Sequence, residues 1–213
     1  RRPCGASARR CCRCFLAVAT LRCRGASGLA QGPPNGNCMT GPPLVGVPAS
    51  KAAIFGRYLA LCCALQVLPS EDALAHLQFG SDRLVLRPTP ARPFSDLELQ
   101  ALVGLLVDKQ GAMLKSIRHL DFSACSLGPA GIMLLAHLLQ HPNCSVEYLD
   151  LSNQVMDLES VSSIATAVRE STSLEELRLH GCHLGDEGGH IIMDIINDTT
   201  RGSRSLRVID IQN

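Results

Sequence analysis

The amino-acid sequence predicts an α/β solenoid, in which strand–turn–helix units stack into a parallel sheet backed by helices. Three observations predict it. A pattern of the form L-x-x-L-x-L-x-x-C-x-L starts at Ile117, Val146, Leu174 and Leu206, at spacings of 29, 28 and 32 residues. Behind each full copy, apolar or small residues recur every fourth position: Gly131, Leu135, Leu139; Ser160, Ile164, Val168; Gly188, Ile192, Ile196. Such spacing marks one face of a helix. The composition is 46% hydrophobic but only 3% aromatic, with no Trp. A core of that kind is built from rows of aliphatic side chains, as stacked repeats provide.

Two unlike segments are joined in the 213 residues. Residues 1–70 hold nine Arg and Lys and no acid, whereas residues 71–213 hold eleven basic and all nineteen acidic side chains. Net charges of +9 and −8 are thereby hidden in a total of +1. Residues 1–50 read as a disordered basic tail rich in Cys, Pro and Gly. Organelle targeting and a non-native extension before Met39 are the alternatives. The apolar run Cys14–Leu21 is flanked by arginines on both sides, against the pattern of a signal peptide. Eleven cysteines show no spaced framework, so they are expected to be free thiols in a cytoplasmic protein.

Residues 51–82 are expected to form a helical cap. Lys51–Leu68 reads as a helix of about 17 residues that contains Arg57, short and ill suited for a membrane span. Ser70 followed by Glu71 and Asp72 signals a second helix start. Residues 83–213 are the repeat domain. Its first unit is degenerate: Leu84 and Leu86 make the strand, the Pro-rich stretch 87–93 intervenes, and Phe94, Leu102 and Leu106 follow. An irregular terminal unit is what a cap looks like. The last strand, Leu206–Asn213, leaves Leu206, Ile209 and Ile211 at an open end, expected to be covered by further repeats or another chain.

The stretches Leu120–Gly131 (LDFSACSLGPAG) and Leu177–Gly188 (LRLHGCHLGDEG) resemble the ribonuclease-inhibitor-like class of leucine-rich repeats. Ran GTPase-activating proteins, tropomodulins and NOD-like receptors share that class. The resemblance covers roughly residues 83–213. It implies a right-handed horseshoe with the parallel sheet inside and helices outside. It also implies that Cys125 and Cys182, at one repeat position, fill the buried turn after the strand.

Alternation along a strand directs the residues between the leucines onto the concave sheet. They are His119, Asp121 and Ser123; Tyr148, Asp150 and Ser152; Glu176, Arg178 and His180; then Asp210, flanked by Val208 and Gln212. The edge unit adds Arg83, Val85 and Arg87. Strands lie roughly 5 Å apart, so Asp121 and Asp150 repel unless a cation is near, and Arg178 offers partial relief. This reads as a mildly acidic face for a partner with a basic segment. The competing reading is an ordinary solvated strand position.

No Walker loop, G-x-S-x-G or H-E-x-x-H occurs, and His180, Cys182 and His183 lack a partner set for zinc. His180 and Cys182 would alternate to the same side of a continued strand. The sequence therefore predicts a non-catalytic scaffold or adaptor that binds another protein, with no cofactor, no metal, no nucleic acid and no membrane span. Two alternatives remain: a GTPase activator of the Ran type, and a ubiquitin-ligase substrate receptor suggested by Leu68-Pro69-Ser70-Glu71.

Overall fold

The computed structural model describes residues 49–107, 113–199 and 205–212. Except for Ala49 and Ser50, the tail read at 1–50 lies outside the described residues, as do the side chain of Ile196 and Asn213.

Two helices open the described residues. α1 spans Ala49–Leu65, beginning two residues earlier and ending three earlier than the sequence suggests. It stops because Gln66 turns left-handed, with φ 58°. The Gln66 and Val67 amides then bond back to the Cys63 and Cys62 carbonyls at 3.2 and 2.9 Å, a closing turn usually built on Gly. Pro69 three residues on could not have continued the helix. α2 spans Glu71–Phe79, capped by the Ser70 hydroxyl and closed by Gly80 at φ 69°. Tyr58 on α1 accepts from the Ser70 amide at 3.2 Å, and Arg92 donates to the Pro69 carbonyl at 2.6 Å. The Leu68–Glu71 stretch thus joins α1 to α2.

Among the described residues, five short strands and four more α-helices alternate after α2, with one 3-10 turn at Leu114–Ser116. β1 is Arg83–Val85 and α3 Asp96–Leu106, then β2 His119–Asp121 and α4 Pro129–Leu139. β3 is Tyr148–Asp150 and α5 Leu158–Glu170, then β4 Glu176–Arg178, α6 Gly185–Thr199 and β5 Val208–Asp210. All strands are parallel in the order β1-β2-β3-β4-β5. Leu84, Leu120, Leu149, Leu177 and Ile209 stand in one register row, the alignment read from the sequence. The ladder extends past three residues: the amides of Leu86, Phe122, Leu151 and Leu179 each bond to a carbonyl of the following strand.

Rows of aliphatic side chains fill the space between sheet and helices. Leu120, Leu149 and Leu177 are fully buried, and so are Ile117, Val146 and Leu174 from the residues leading into each strand. Leu135 and Leu139, Ile164 and Val168, and Ile192 meet them from the helices, together with Ile195, which the four-step spacing omits. A residue of this size stabilises by roughly 1.5–3 kcal/mol when fully buried. Ile209 and Ile211 are half-buried, whereas their counterparts Leu177 and Leu179 are buried. Among the described residues no helix is long and apolar enough to cross a membrane.

Candidate functional site

Strand alternation directs every second strand residue to one face of the sheet. Two register rows line it: Arg83, His119, Tyr148, Glu176 and Val208; then Val85, Asp121, Asp150, Arg178 and Asp210. Ser123, Ser152 and His180 follow where each strand ends.

In the first row the rings of His119 and Tyr148 stack, with centroids 3.8 Å apart and planes 4° from parallel. Arg178 on the next strand places its guanidinium 5.0 Å from the Tyr148 centroid. Such a contact contributes about 0.5–1 kcal/mol at an exposed site. Arg83 lies with Nη2 3.5 Å from His119 Nδ1. An arginine only donates, so in this arrangement Nδ1 accepts and the imidazole is neutral. Burial, and then the Arg83 charge, hold the His119 pKa below its usual value. Tyr148 donates to Asp150 Oδ2 at 3.2 Å, and burial, with the Asp150 charge, pushes its phenol up to about 12.

The second row revises what the recurrent Asp does. Asp121 Oδ1 accepts from the Ser123 amide at 3.0 Å and its hydroxyl at 2.7 Å. Asp150 Oδ1 accepts from the Ser152 amide at 2.9 Å, and Asp210 Oδ1 from the Gln212 amide at 3.3 Å. Each carboxylate closes the turn at the end of its own strand, a local bond that Asp is suited to make. Asp121 and Asp150 are only 7% and 8% exposed, so they are not a solvated acidic surface. Arg178 lies beside Asp150 on the next strand, as expected, and a second cation joins it at Asp121. Arg87 reaches Asp121 Oδ2 at 2.7 Å, while Arg178 pairs with Glu176 on its own strand at 2.8 Å. Ser152 is buried, Ser123, Glu176 and Asp210 are half-buried, and Arg178 and His180 are exposed.

Beneath the turns lie the residues of the Cys position. Gln154 donates to the Phe122 and Ser152 carbonyls at 3.1 and 3.0 Å and accepts from the Leu127 amide at 2.9 Å. Cys182 turns its thiol to the Leu151 carbonyl at 3.0 Å. Phe122 and Leu151 are equivalent in the repeat, so the amide and the thiol make the same cross-repeat bond. Burial, with Asp121 nearby, raises the Cys125 thiol to about 12, which suppresses the nucleophilic thiolate. His180 and Cys182 do not share a side: one is exposed and the other buried. The chain has already turned, with Gly181 at φ 68° and His183 at φ 47°. Among the described residues no three His, Cys, Asp or Glu side chains are grouped to hold a metal, and Cys62, Cys63, Cys125, Cys144 and Cys182 are not joined in disulfides.

Two recesses were not foreseen. One, of about 220 Å³, lies where α2 meets β1, between Asp72, His76, Phe79, Arg83 and Val85. Phe79 there is 70% exposed. Its signal was in the sequence, because Ala73 and Leu77 set the buried face of α2 and Phe79 does not continue it. A wider groove of about 660 Å³ runs over the helix layer between Met133 and His137 of α4 and Leu158, Ser162 and Thr166 of α5.

The family model described as Leucine Rich repeat matches residues 114–136 and 170–190. The human protein "NACHT, LRR and PYD domains-containing protein 14" is 30% identical over 146 residues, covering 66% of this chain and 13% of its own length. Its mouse counterpart is 28% identical over 148 residues, with 67% and 14% covered. The rat "NACHT, LRR and PYD domains-containing protein 3" is 28% identical over 151 residues, with 61% and 15% covered. The chain therefore spans 13% to 15% of the length of these curated relatives.

Proposed function

Because the chain is a leucine-rich-repeat protein related to the NOD-like receptors, we propose that it is a non-catalytic adaptor that binds a partner protein on the inner face of a horseshoe-shaped solenoid. A repeat scaffold for protein interaction is what the family provides. The finer reading is that residues 83–213 form the binding unit, residues 51–82 close its first end, and the protein works inside the cell without a cofactor.

One observation carries this reading: Tyr148 stands on the open sheet face between His119 and Arg178. Tyr and Arg dominate the energetics of protein interfaces, and side chains already held in place lose little entropy on binding. His180, Glu176 and Asp210 border this group. Asp121, Asp150 and Ser152 serve it by fixing the turns that present it.

Affinity capture with mass spectrometry tests the proposal. Tyr148→Ala and Arg178→Glu, on the sheet face, should each lose the partner that wild-type protein recovers. His137→Glu and Met193→Lys, on the helix layer, should retain it. Equal recovery by folded sheet-face variants would sink the proposal.

A further inference from the structure

We propose that the corner between α2 and β1 receives an acidic segment of the partner, with a carboxylate on Arg83 and one large apolar side chain against Phe79 and Val85. This rests on the sheet face being the partner surface, and it names the chemistry recognised at one end of that face.

The argument is one of hydrogen-bond capacity. Acceptors on the row beside the corner are already engaged. Both Asp121 oxygens are taken, by Ser123 and Arg87, and both Asp150 oxygens by Ser152 and Tyr148. Asp72, on the wall of the recess, accepts from the Arg87 amide at 2.6 Å. Donors are not similarly engaged. Arg83 is exposed, and its guanidinium, with five N–H groups, meets only His119 Nδ1 at the 3.5 Å limit among its described hydrogen bonds. Arg87 is 55% exposed at its side chain even while paired. A fork of this kind matches a carboxylate with two parallel bonds. Asp72, Asp82 and Asp121 outnumber Arg83 and Arg87 by one charge around this corner. Recognition therefore works through placed donors at contact rather than through a long-range field.

The apolar part has its own evidence. Phe79 is 70% exposed, an unusual position for so large an apolar ring, and it borders the recess of about 220 Å³ that Val85 also lines. A cavity of about 150 Å³ accepts a benzene, so the recess has room for one Leu or Phe side chain. Arg83 lines the same recess, which puts donor and apolar wall within reach of one short peptide.

Fluorescence anisotropy with the full chain tests this. The probe is a labelled twelve-residue peptide of Glu and Gly with one central Leu; its comparators carry Lys for Glu, or Gly for Leu. Both substituted side chains are exposed, and thermal melts check folding. Arg83→Glu should weaken probe binding at least about tenfold, and Phe79→Ser about fivefold. Removing the central Leu should match the loss seen in Phe79→Ser. The inference is overturned if the Lys peptide or a single-stranded oligonucleotide binds as tightly, if neither variant changes affinity, or if no saturable binding occurs. Should Tyr148→Ala still abolish partner capture in that case, the sheet-face proposal survives and only this corner's chemistry is wrong.

Discussion

His119 lies flat against Tyr148 across the β2–β3 boundary, ring centroids 3.8 Å apart, with its Nδ1 turned toward Arg83. That contact requires a neutral imidazole, since a protonated Nδ1 would face a guanidinium donor to donor. Burial, and then the Arg83 charge, set against Asp121, Asp150 and Glu176, hold the His119 pKa down. His76 on α2 is shifted the same way, first by burial, against the Arg83 carbonyl and Asp82. A base whose folded pKa is lowered favours folding in its neutral form. The stabilisation is complete above the ordinary histidine value near 6.5 and is lost as pH falls through the lowered folded values. Urea-denaturation midpoints should therefore fall between pH 7.5 and pH 5. His119→Gln together with His76→Gln should flatten that slope, and an unchanged slope in the double variant would refute the assignment.

Asp121 should be more valuable to the fold than to any partner. Asp121→Ala leaves the Ser123 amide and the Arg87 fork without their acceptor. An orphaned, partly buried polar group costs about 1–3 kcal/mol. Asp121→Asn keeps an oxygen for Ser123 and should lose less. Although burial raises the Asp121 pKa, the bonds from Arg87 and Ser123 outweigh it, and the net shift is downward. Its contribution is present above the ordinary carboxylate value of about 3.9 and disappears as pH falls through the lowered folded value. Wild-type acid unfolding below about pH 4 should thus steepen relative to Asp121→Asn; parallel curves would contradict this.

At the Cys position of the second repeat, Gln154 makes three buried hydrogen bonds and is 2% exposed. Gln154→Ala strands the Leu127 amide, while the Phe122 carbonyl keeps its bond from the Cys125 amide, for an expected loss of about 1–3 kcal/mol. Gln154→Cys should recover part of it, because Cys182 shows that a thiol there can reach the equivalent carbonyl of the preceding strand. Equilibrium denaturation ranks the three proteins. A Cys variant no better than the Ala variant would mean that the cross-repeat bond contributes little.

Much of the fold was legible because its signal is periodic. The spacing of Leu120, Leu149, Leu177 and Ile209 is the sheet register itself, and Ser70 announced the start of α2. Side-chain partners were less legible, since they depend on which rotamer crosses a strand boundary. Arg87 stands 34 residues from Asp121, beyond the end of β1, so no local pattern marks it as the counter-ion. The Asp repeat resembled a binding signature because alternation along a strand gives a direction and no hydrogen-bond partner. The end of α1 was misjudged for a related reason, as nothing in the sequence signals that Gln66 takes a conformation normally left to Gly.

Gly131 provides the sharpest test of how neighbouring repeats are keyed together. A Cβ there would sit 2.3 Å from Asp96 Oδ1, and the same oxygen accepts from the Gly128 amide at 2.8 Å. Asp96 opens α3 and Gly128 caps α4, so this carboxylate fastens the start of one helix to the start of the next. Gly131→Ala must push Asp96 aside, losing that bond and straining its rotamer, for about 1–3 kcal/mol. Asp96→Ala loses the same bond but removes the obstacle. In the double variant the methyl group keeps only an ordinary contact with Leu127 Cβ at 3.4 Å, and Ala carries a better helix propensity than Gly by roughly 0.8–1 kcal/mol. The double variant should then be no less stable than Asp96→Ala alone, a coupling of at least about 1 kcal/mol in a double-mutant cycle. Additive losses would show that Asp96 yields freely and that the two helix starts are held by apolar packing alone.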